Sequence, residues 1–305
     1  MEIGVHLTTS GRAGPVPVAL AEYIRDLEAQ GLKGVWLPQM FSLDAIDVLS
    51  LAGHMTSKIT LGTGVTPTYP RHPTALATQA MTSAAISGGR FVLGIGLSHK
   101  VVIEGMLGMS YDKPARHMRE YLSILMPLLH GERVNFEGET LTARNYQIDL
   151  PGVAPPKVVV AALGPVMLGL AGRMADGTST WMVGPKTMEQ HILPTIRKAA
   201  AEAGRPTPMV TAGFPIALTS DVNAAKAKIA KSLALYDTLP SYRAMLDREG
   251  AGSSPADVAI VGDEKVVRDG LKRLADLGVS HFMGSVMNVE EGATARTLAL
   301  LASLA

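Results

Sequence analysis

Apolar and polar positions divide the chain into two kinds of segment. Short apolar runs of strand length recur, and between them apolar residues return every three or four positions, as on one face of a helix. This pattern predicts eight strands that alternate with helices, and therefore an α/β fold with parallel strands, a (β/α)8 TIM barrel. The predicted strands span residues 3–7, 34–37, 59–65, 91–96, 157–162, 178–183, 209–218 and 282–287. The predicted helices span 17–30, 45–56, 74–86, 115–129, 165–174, 188–202, 222–248 with a break at Pro240, 263–276 and 294–304.

The alternation is interrupted between predicted strands four and five. A helix over 115–129 is followed by short polar and apolar alternation, with a hairpin turn at Glu137-Gly138. We interpret residues 100–156, within a few positions at each end, as an insertion on the barrel after strand four. Residues 1–305 then form a single domain.

Composition narrows the class of protein. The 28 basic and 27 acidic side chains give a net charge of +1, which favours neither nucleic acid nor an anionic membrane as a partner. Zero cysteines exclude disulfides, thiolate catalysis and cysteine-bound metal clusters. Acidic residues fall mainly on predicted helices beside lysines and arginines, so no metal site is expected. Without a signal peptide or an apolar run of membrane-spanning length, we expect a cytoplasmic protein with a small-molecule substrate.

Two segments at the predicted carboxyl edge of the barrel are candidates for binding a ligand through their backbone. Gly62-Thr-Gly-Val65 ends strand three and is either a plain strand terminus or a bulge that lets backbone approach a flat ligand. Ala161-Ala-Leu-Gly-Pro165 joins strand five to a helix. Free amides at that helix start are able to bind phosphate, although the same loop also suits a barrel without a ligand.

Several side chains near strand ends are candidates for chemistry or for packing. His6 and His99 would face the mouth of the barrel, either as acid–base groups or as structural hydrogen-bonding residues. Trp36 and Trp181 either pack in the core or stack beside a ring. Four apolar residues near strand ends indicate a hydrophobic substrate: Leu97, Met182, Phe214 and Met287.

Four segments together resemble the luciferase-like monooxygenase superfamily, in the branch that uses the deazaflavin coenzyme F420. They are Leu61-Gly-Thr-Gly-Val65 with its following Thr-Pro and Arg-His-Pro, Ser87-Gly-Gly-Arg-Phe-Val-Leu-Gly-Ile-Gly96, Ala161-Ala-Leu-Gly-Pro165 and Ala175-Asp-Gly177. The resemblance covers nearly the whole chain. It implies a luciferase-like TIM barrel with an insertion after strand four, a flavin or deazaflavin across the carboxyl ends, and a homodimer.

The resemblance also implies roles for residues. A non-proline cis peptide at Gly64-Val65 would support the ring, and Leu163 to Met167 would bind the phosphate. The cofactor-binding residues expected on this basis are His6, Gly64, Val65, Thr66, Leu97, Ser98, Ala162, Leu163, Gly164, Pro165, Val166, Met167 and Trp181.

The chain departs from these relatives at the end of strand two. Many of them place an acidic residue and a histidine there, whereas this chain has Pro38-Gln-Met40. Gln39 can form hydrogen bonds but cannot exchange protons near neutral pH. His99 is therefore the first candidate for a proton donor, with Gln39 as its partner in contacting the substrate or a ring carbonyl.

The leading hypothesis is an F420-dependent oxidoreductase that moves a hydride between the deazaflavin C5 and a small, apolar organic substrate. The first alternative is an FMN-dependent monooxygenase on the same scaffold. The second is a non-catalytic cofactor-binding protein, an alternative that Gln39 supports.

Overall fold

The computed structural model describes residues 1–7, 16–39, 41–250, 252 and 254–305. The strands are β1 (Glu2–His6), β2 (Gly34–Leu37), β3 (Thr60–Thr63), β4 (Thr66–Pro67), β5 (Phe91–Gly96), β6 (Val134–Glu137), β7 (Thr142–Tyr146), β8 (Lys157–Ala161), β9 (Gly177–Trp181), β10 (Met209–Leu218), β11 (Ile260–Gly262) and β12 (His281–Val286). The helices are α1 (Val16–Ala29), α2 (Ala45–Met55), α3 (Pro73–Ile86), α4 (Lys100–Ile103), α5 (Pro114–Leu129), α6 (Pro165–Met174), α7 (Pro185–Thr187), α8 (Leu193–Glu202), α9 (Val222–Ser232), α10 (Ala234–Asp237), α11 (Pro240–Glu249), α12 (Glu264–Leu277) and α13 (Ala293–Leu304).

Parallel pairing closes the sheet into the predicted barrel. The order β12-β1-β2-β3-β5-β8-β9-β10 returns to β12, because β10 pairs with both β9 and β12. The strands are almost wholly buried, as expected where helices cover the outside of a parallel sheet. The predicted TIM barrel is confirmed.

Trp36 belongs to the barrel interior. Its side chain is fully buried and packs with Val92, Val159 and Met283. A β-carbon at Gly62 would overlap the Trp36 ring, so Gly62 provides the space that the indole fills. Core packing, the first of the two interpretations of Trp36, is therefore the observed one.

Two stretches of chain stand outside the regular alternation at the carboxyl edge. After β5, residues 97–113 form a loop with the short helix α4, and α5 then packs between α3 and α6 in the outer ring. The hairpin β6–β7 follows α5. After β10, residues 219–262 carry α9, α10, α11, a 3-10 turn and β11 before α12 returns to the barrel. We call residues 219–262 the upper segment. The sequence pattern predicts its helices but neither β11 nor its role as a second excursion.

Glu120 on α5 fixes the β6–β7 hairpin. Its largely buried carboxylate accepts hydrogen bonds from the amides of Glu139 (2.9 Å), Thr140 (2.7 Å) and Leu141 (3.0 Å), and from the Thr140 hydroxyl (2.7 Å). Burial opposes ionisation, but these hydrogen bonds and Arg116 outweigh it and lower the pKa of Glu120.

Replacing Glu120 by glutamine is expected to lower the Tm by about 2–5 °C at pH 7, because the amide cannot accept all four hydrogen bonds. The folded-state pKa lies below the unfolded value, so the stabilisation by the carboxylate is present above roughly pH 4.3 and is lost as the pH falls through the folded pKa. Thermal melts of wild type and Glu120→Gln from pH 7 to pH 3 should converge at the acid end. A Tm difference that stays constant over this range would contradict the assignment.

Candidate active site

The floor of the site is a bulge in the barrel wall between β3 and β4. β3 pairs with β5 at Gly62 and Val92, and pairing resumes only at Thr66 and Ile95. In the gap, the Thr63 hydroxyl donates to the Gly94 carbonyl (2.7 Å) and accepts from the Gly94 amide (2.8 Å). One side chain therefore replaces the missing ladder hydrogen bonds while the next two residues leave the sheet.

Those two residues, Gly64 and Val65, are joined by a cis peptide bond, as the resemblance implies. The Gly64 amide donates to the Leu37 carbonyl (2.9 Å), and the Val65 carbonyl accepts from the Gln39 amide (3.3 Å). Val65 is thus held from the β2 side and lies half-buried beneath the mouth of the barrel.

Two adjoining cavities open above this bulge, each with a volume of about 270 Å³. They share a wall and together form one cleft. The shared lining consists of Gly64, Val65, Ser98, His99, Ser179, Thr180, Trp181 and Tyr242. The first cavity is also lined by Gly96, Leu97, Tyr111, Ala161, Ala162, Leu163, Gly164, Met167 and Ser241. The second is also lined by His6, Pro38, Gln39, Pro67, Leu233, Tyr236, Met283 and Ser285.

The cleft is electrically neutral over the residues that the structure describes. None of its described lining residues is an aspartate, glutamate, lysine or arginine. Lys100 lies outside, on a groove of about 590 Å³ that continues from the first cavity between the loop after β5 and the start of α11. A neutral, partly apolar cleft favours an uncharged ligand, because a charge placed there has no partner to offset its desolvation.

His6 ends β1 in the second cavity. Its Nε2 lies 3.3 Å from the Gly64 carbonyl oxygen, so Nε2 carries the hydrogen and Nδ1 the lone pair. Nδ1 is buried and has no hydrogen-bond donor among the described residues. Burial lowers the pKa of His6, although the Gly64 carbonyl partly opposes this, and the ring is neutral at pH 7.

His99 follows β5 and lines both cavities, as predicted. Burial lowers its pKa, so the ring is an unprotonated imidazole at neutral pH. That state suits accepting a proton better than donating one. The preceding Ser98 has φ of 59°, in the left-handed region. Residues other than glycine seldom adopt this conformation, and those that do are frequent at functional sites.

Five rings form an arc around the cleft, which we call the aromatic arc. His6 stacks on Trp181 at 5.4 Å between centroids, Trp181 meets Tyr236 at 6.4 Å, Tyr236 meets Tyr242 edge-on at 4.9 Å, and Tyr242 meets His99 at 6.3 Å. Stacking beside the cleft is thus the observed environment of Trp181. A flat, uncharged molecule would find aromatic surface on this side and the Val65 bulge below.

Gln39 lines the second cavity, but much of its hydrogen-bonding capacity is already used. Its side-chain oxygen accepts a 2.7 Å hydrogen bond from the Ala45 amide at the start of α2. Its backbone amide contacts Val65, as described above. The remaining side-chain NH₂ group is a donor without acid–base function near neutral pH. Met40, the next residue of the departing motif, lies outside the described residues.

The start of α6 borders the first cavity. Gly164 occupies the N-cap position without a side-chain cap, and Pro165 opens the helix, so the amides of Val166 and Met167 are the first donors of the first turn. Behind them, His191 Nε2 donates to the Leu163 carbonyl at 2.8 Å and fixes the loop. Uncapped amides at the positive end of a helix dipole are able to bind a phosphate without any charged side chain.

Some predicted site residues lie elsewhere. Thr66 is fully buried in β4, with its hydroxyl unpartnered among the described residues and outside the cleft lining. The side chains of Pro165 and Val166 point to solvent, so only the backbone there can serve a ligand. Of the four apolar residues taken to mark a hydrophobic substrate site, only Leu97 lines the cleft. Phe214 packs on Phe282 in the core, Met182 packs with Leu246, and Met287 packs under the upper segment.

Other cleft residues escaped the sequence prediction. The upper segment contributes Leu233, Tyr236, Ser241 and Tyr242, and the loop after β5 contributes Tyr111. Their positions depend on how two excursions fold back over the barrel, which local patterns do not specify. The proline break at Pro240, which places two tyrosines within four residues of the break, was the available signal.

No grouping of three or more histidine, cysteine, aspartate or glutamate side chains able to hold a metal occurs among the described residues. Nor is any helix in the described part of the chain long and apolar enough to cross a bilayer.

A closed parallel barrel with a neutral cleft at its carboxyl edge defines a TIM-barrel protein with a cleft at the edge where such barrels bind their ligands. The sequence model of the luciferase-like monooxygenase family matches residues 1–281. The chain belongs to this family, and it is an oxidoreductase.

Known proteins similar to this chain include two reductases and a monooxygenase. The 5,10-methylenetetrahydromethanopterin reductase of Methanolobus tindarius is 30% identical over 245 residues, covering 80% of this chain and 74% of the relative. The coenzyme F420-dependent tetrahydromethanopterin reductase of Methanopyrus kandleri has the same fold, with a TM-score of 0.82 and 23% identity over 99% of this chain and 97% of that one. The oxygenating constituent of 3,6-diketocamphane monooxygenase of Pseudomonas putida, solved with FMN, has a TM-score of 0.77 and 17% identity over 99% and 97%.

Proposed function

We propose that this protein is a coenzyme F420-dependent oxidoreductase acting on a small, uncharged organic substrate. The observation that carries the proposal is the double cleft. One bulge at Gly64-Val65 underlies two adjoining cavities of about 270 Å³ each, and the uncapped start of α6 borders the first of them. This arrangement has room for a tricyclic ring and a substrate side by side, with a phosphate position at one end.

The residues present fit a deazaflavin. Val65 offers an apolar contact below the ring, and Gly96, Ala161 and Ala162 keep the adjoining wall low. The Val166 and Met167 amides are free for a phosphate, and the unpaired Nδ1 of His6 is an acceptor that no described residue satisfies. When bound and reduced, the coenzyme supplies a hydride from C5.

The protein's own contribution is orientation, exclusion of water and control of polarity. The aromatic arc and Val65 confine a flat molecule between them, and the neutral lining keeps the local dielectric low. A putative coenzyme F420-dependent oxidoreductase of Mycobacterium tuberculosis, 30% identical over 252 residues, and the F420-dependent reductase of Methanopyrus kandleri support coenzyme F420.

FMN is the second candidate cofactor, since an FMN-containing monooxygenase shares the fold. The test is a fluorescence titration of the purified protein with F420 and with FMN under identical conditions. We expect F420 to bind at least about tenfold more tightly, a difference of roughly 1.4 kcal/mol. Tighter binding of FMN would reverse the assignment.

A non-catalytic binding protein is a further alternative, because Gln39 stands where an acid–base group is expected and is engaged with Ala45. Reoxidation of reduced F420 by a panel of aldehydes and ketones, followed by absorbance, separates the two cases. Tight coenzyme binding with turnover at background would favour the binding protein.

A further inference from the structure

Three tyrosines line the cleft, and their hydroxyl groups have different surroundings. The Tyr111 hydroxyl donates to the Ser98 carbonyl at 3.3 Å. Tyr236 lies against the Trp181 indole, which partly opposes the burial that raises the pKa of Tyr236. The Tyr242 hydroxyl makes no hydrogen bond with any described residue, although Tyr242 lines both cavities.

The position of the Tyr242 ring is fixed by its helix and by apolar packing. It is the third residue of α11, and its amide donates to the Leu239 carbonyl at 3.0 Å. Its side chain packs on a small apolar cluster of Met182, Leu246 and Val258 that joins the upper segment to the barrel. Tyr242 is part of the wall shared by the two cavities, and a hydroxyl on a fixed ring with no hydrogen-bond partner among the described residues is available to a ligand.

The histidine and glutamine side chains of the cleft are poor proton donors. Burial lowers the pKa of both His6 and His99, so each imidazole is neutral at pH 7. The side-chain oxygen of Gln39 accepts a hydrogen bond from the Ala45 amide, and the Gln39 amide group has no acidic proton. Burial also raises the pKa of Tyr242, so its phenol stays protonated at neutral pH and is able to donate a hydrogen bond to a ligand.

We propose that Tyr242 is a catalytic residue, the proton donor to the oxygen of an uncharged carbonyl substrate, in the reaction assigned under the proposed function, on which this inference rests. Adding a hydride to a carbonyl carbon places negative charge on the oxygen. The O–H bond of Tyr242 breaks, its proton forms the new O–H bond of the product alcohol, and the phenolate regains a proton from water. In the oxidation direction every transfer is reversed.

The neighbours of Tyr242 suit this exchange. His99 lies next to it, with ring centroids 6.3 Å apart, and as a neutral imidazole it can accept or pass on the proton that restores the phenol. His99 also lines the outer groove, and Ser241, which precedes Tyr242 in the chain, lines both that groove and the first cavity. The neutral lining strengthens a hydrogen bond to a developing oxyanion, because little competes with it.

The experiment compares wild type, Tyr242→Phe and the control Tyr146→Phe, which removes a hydroxyl from the distant hairpin strand β7. Each protein is first loaded with reduced F420. It is then mixed with benzaldehyde or cyclohexanone, in H₂O and in D₂O, and oxidation of the coenzyme is followed over a single turnover. Tyr242→Phe is expected to lose about 100-fold or more in rate, with F420 affinity and Tm retained. The solvent isotope effect of wild type should be preserved in Tyr146→Phe and altered in Tyr242→Phe.

The outcomes separate the two proposals. Absence of wild-type turnover with every carbonyl compound would overturn the proposed function and this inference together. Wild-type turnover with an equally fast Tyr242→Phe, or an unchanged solvent isotope effect in that variant, would overturn only the role of Tyr242.

Discussion

Replacing Val166 by aspartate is expected to weaken F420 binding by about 10- to 100-fold while leaving the fold intact or slightly more stable. Val166 is 60% exposed in the first turn of α6, where no side chain caps the helix. A carboxylate there stabilises the helix by interacting with its dipole, but its negative charge repels a phosphate bound at the amides of the same helix start. Weaker F420 binding together with an unchanged or higher stability distinguishes loss of the phosphate position from general damage to the fold.

The matched control is Val266→Asp. Val266 is 47% exposed in the first turn of α12, and its amide already donates a hydrogen bond to the Asp263 carboxylate at 2.9 Å. The same change of charge on a helix start outside the cleft should leave F420 affinity unchanged. Equilibrium fluorescence titration of the three proteins, with melts alongside, gives the comparison. Equal affinity in Val166→Asp and wild type would show that the phosphate lies elsewhere.

Gly94→Ala is expected to have the largest effect on stability, about 3 kcal/mol or more, with a Tm lowered by at least about 5 °C. The new β-carbon would overlap the Thr63 carbonyl oxygen, which is backbone and cannot rotate away. It would also displace the Thr63 hydroxyl from its two hydrogen bonds to Gly94. Since Thr63 holds the chain where Gly64 and Val65 leave the sheet, coenzyme binding should be lost as well.

Gly164→Ala is the control for stability in this comparison. Gly164 has φ of −83° and nothing within 4 Å of an added β-carbon, so alanine fits without strain. Its Tm should stay within about 2 °C of wild type. If Gly94→Ala melts at the same temperature as Gly164→Ala, the account of the β3–β4 bulge is wrong.

The barrel was predictable because local patterns define it. Strand-length apolar runs and helical periodicity locate the barrel strands and most helices of the outer ring to within a few residues. One departure has a clear physical reason. The predicted strand 59–65 divides into β3 and β4, because a bulge replaces its middle, and apolar pattern alone cannot distinguish a bulge from a continuous strand.

The candidate site was predictable where its residues end or closely follow the barrel strands, as His6, His99 and Trp181 do. Glycines, small residues and Pro165 indicated a bulge at Gly64-Val65 and a phosphate position at the α6 start, and the family resemblance decided between these and the structural alternatives. Tyr242 could not be found in this way, since its position depends on long-range packing of α11 against Trp181 and Met182. Thr66 shows the reverse error, because adjacency to the bulge in sequence did not bring it into the cleft.

The upper segment lines the cleft but is not needed to close the barrel sheet, so ligand contact and fold stability depend partly on different residues. Its contribution to the cleft, Leu233, Tyr236, Ser241 and Tyr242, lies between β10 and α12 and includes no residue of the barrel strands. Substitutions there can remodel the space above the bulge without disturbing the closed sheet that maintains the fold. The protein therefore has a region in which new ligand preferences can be acquired at small cost to stability, and directed evolution of its selectivity should begin with Leu233, Tyr236 and Ser241, leaving the proposed proton donor Tyr242 unchanged.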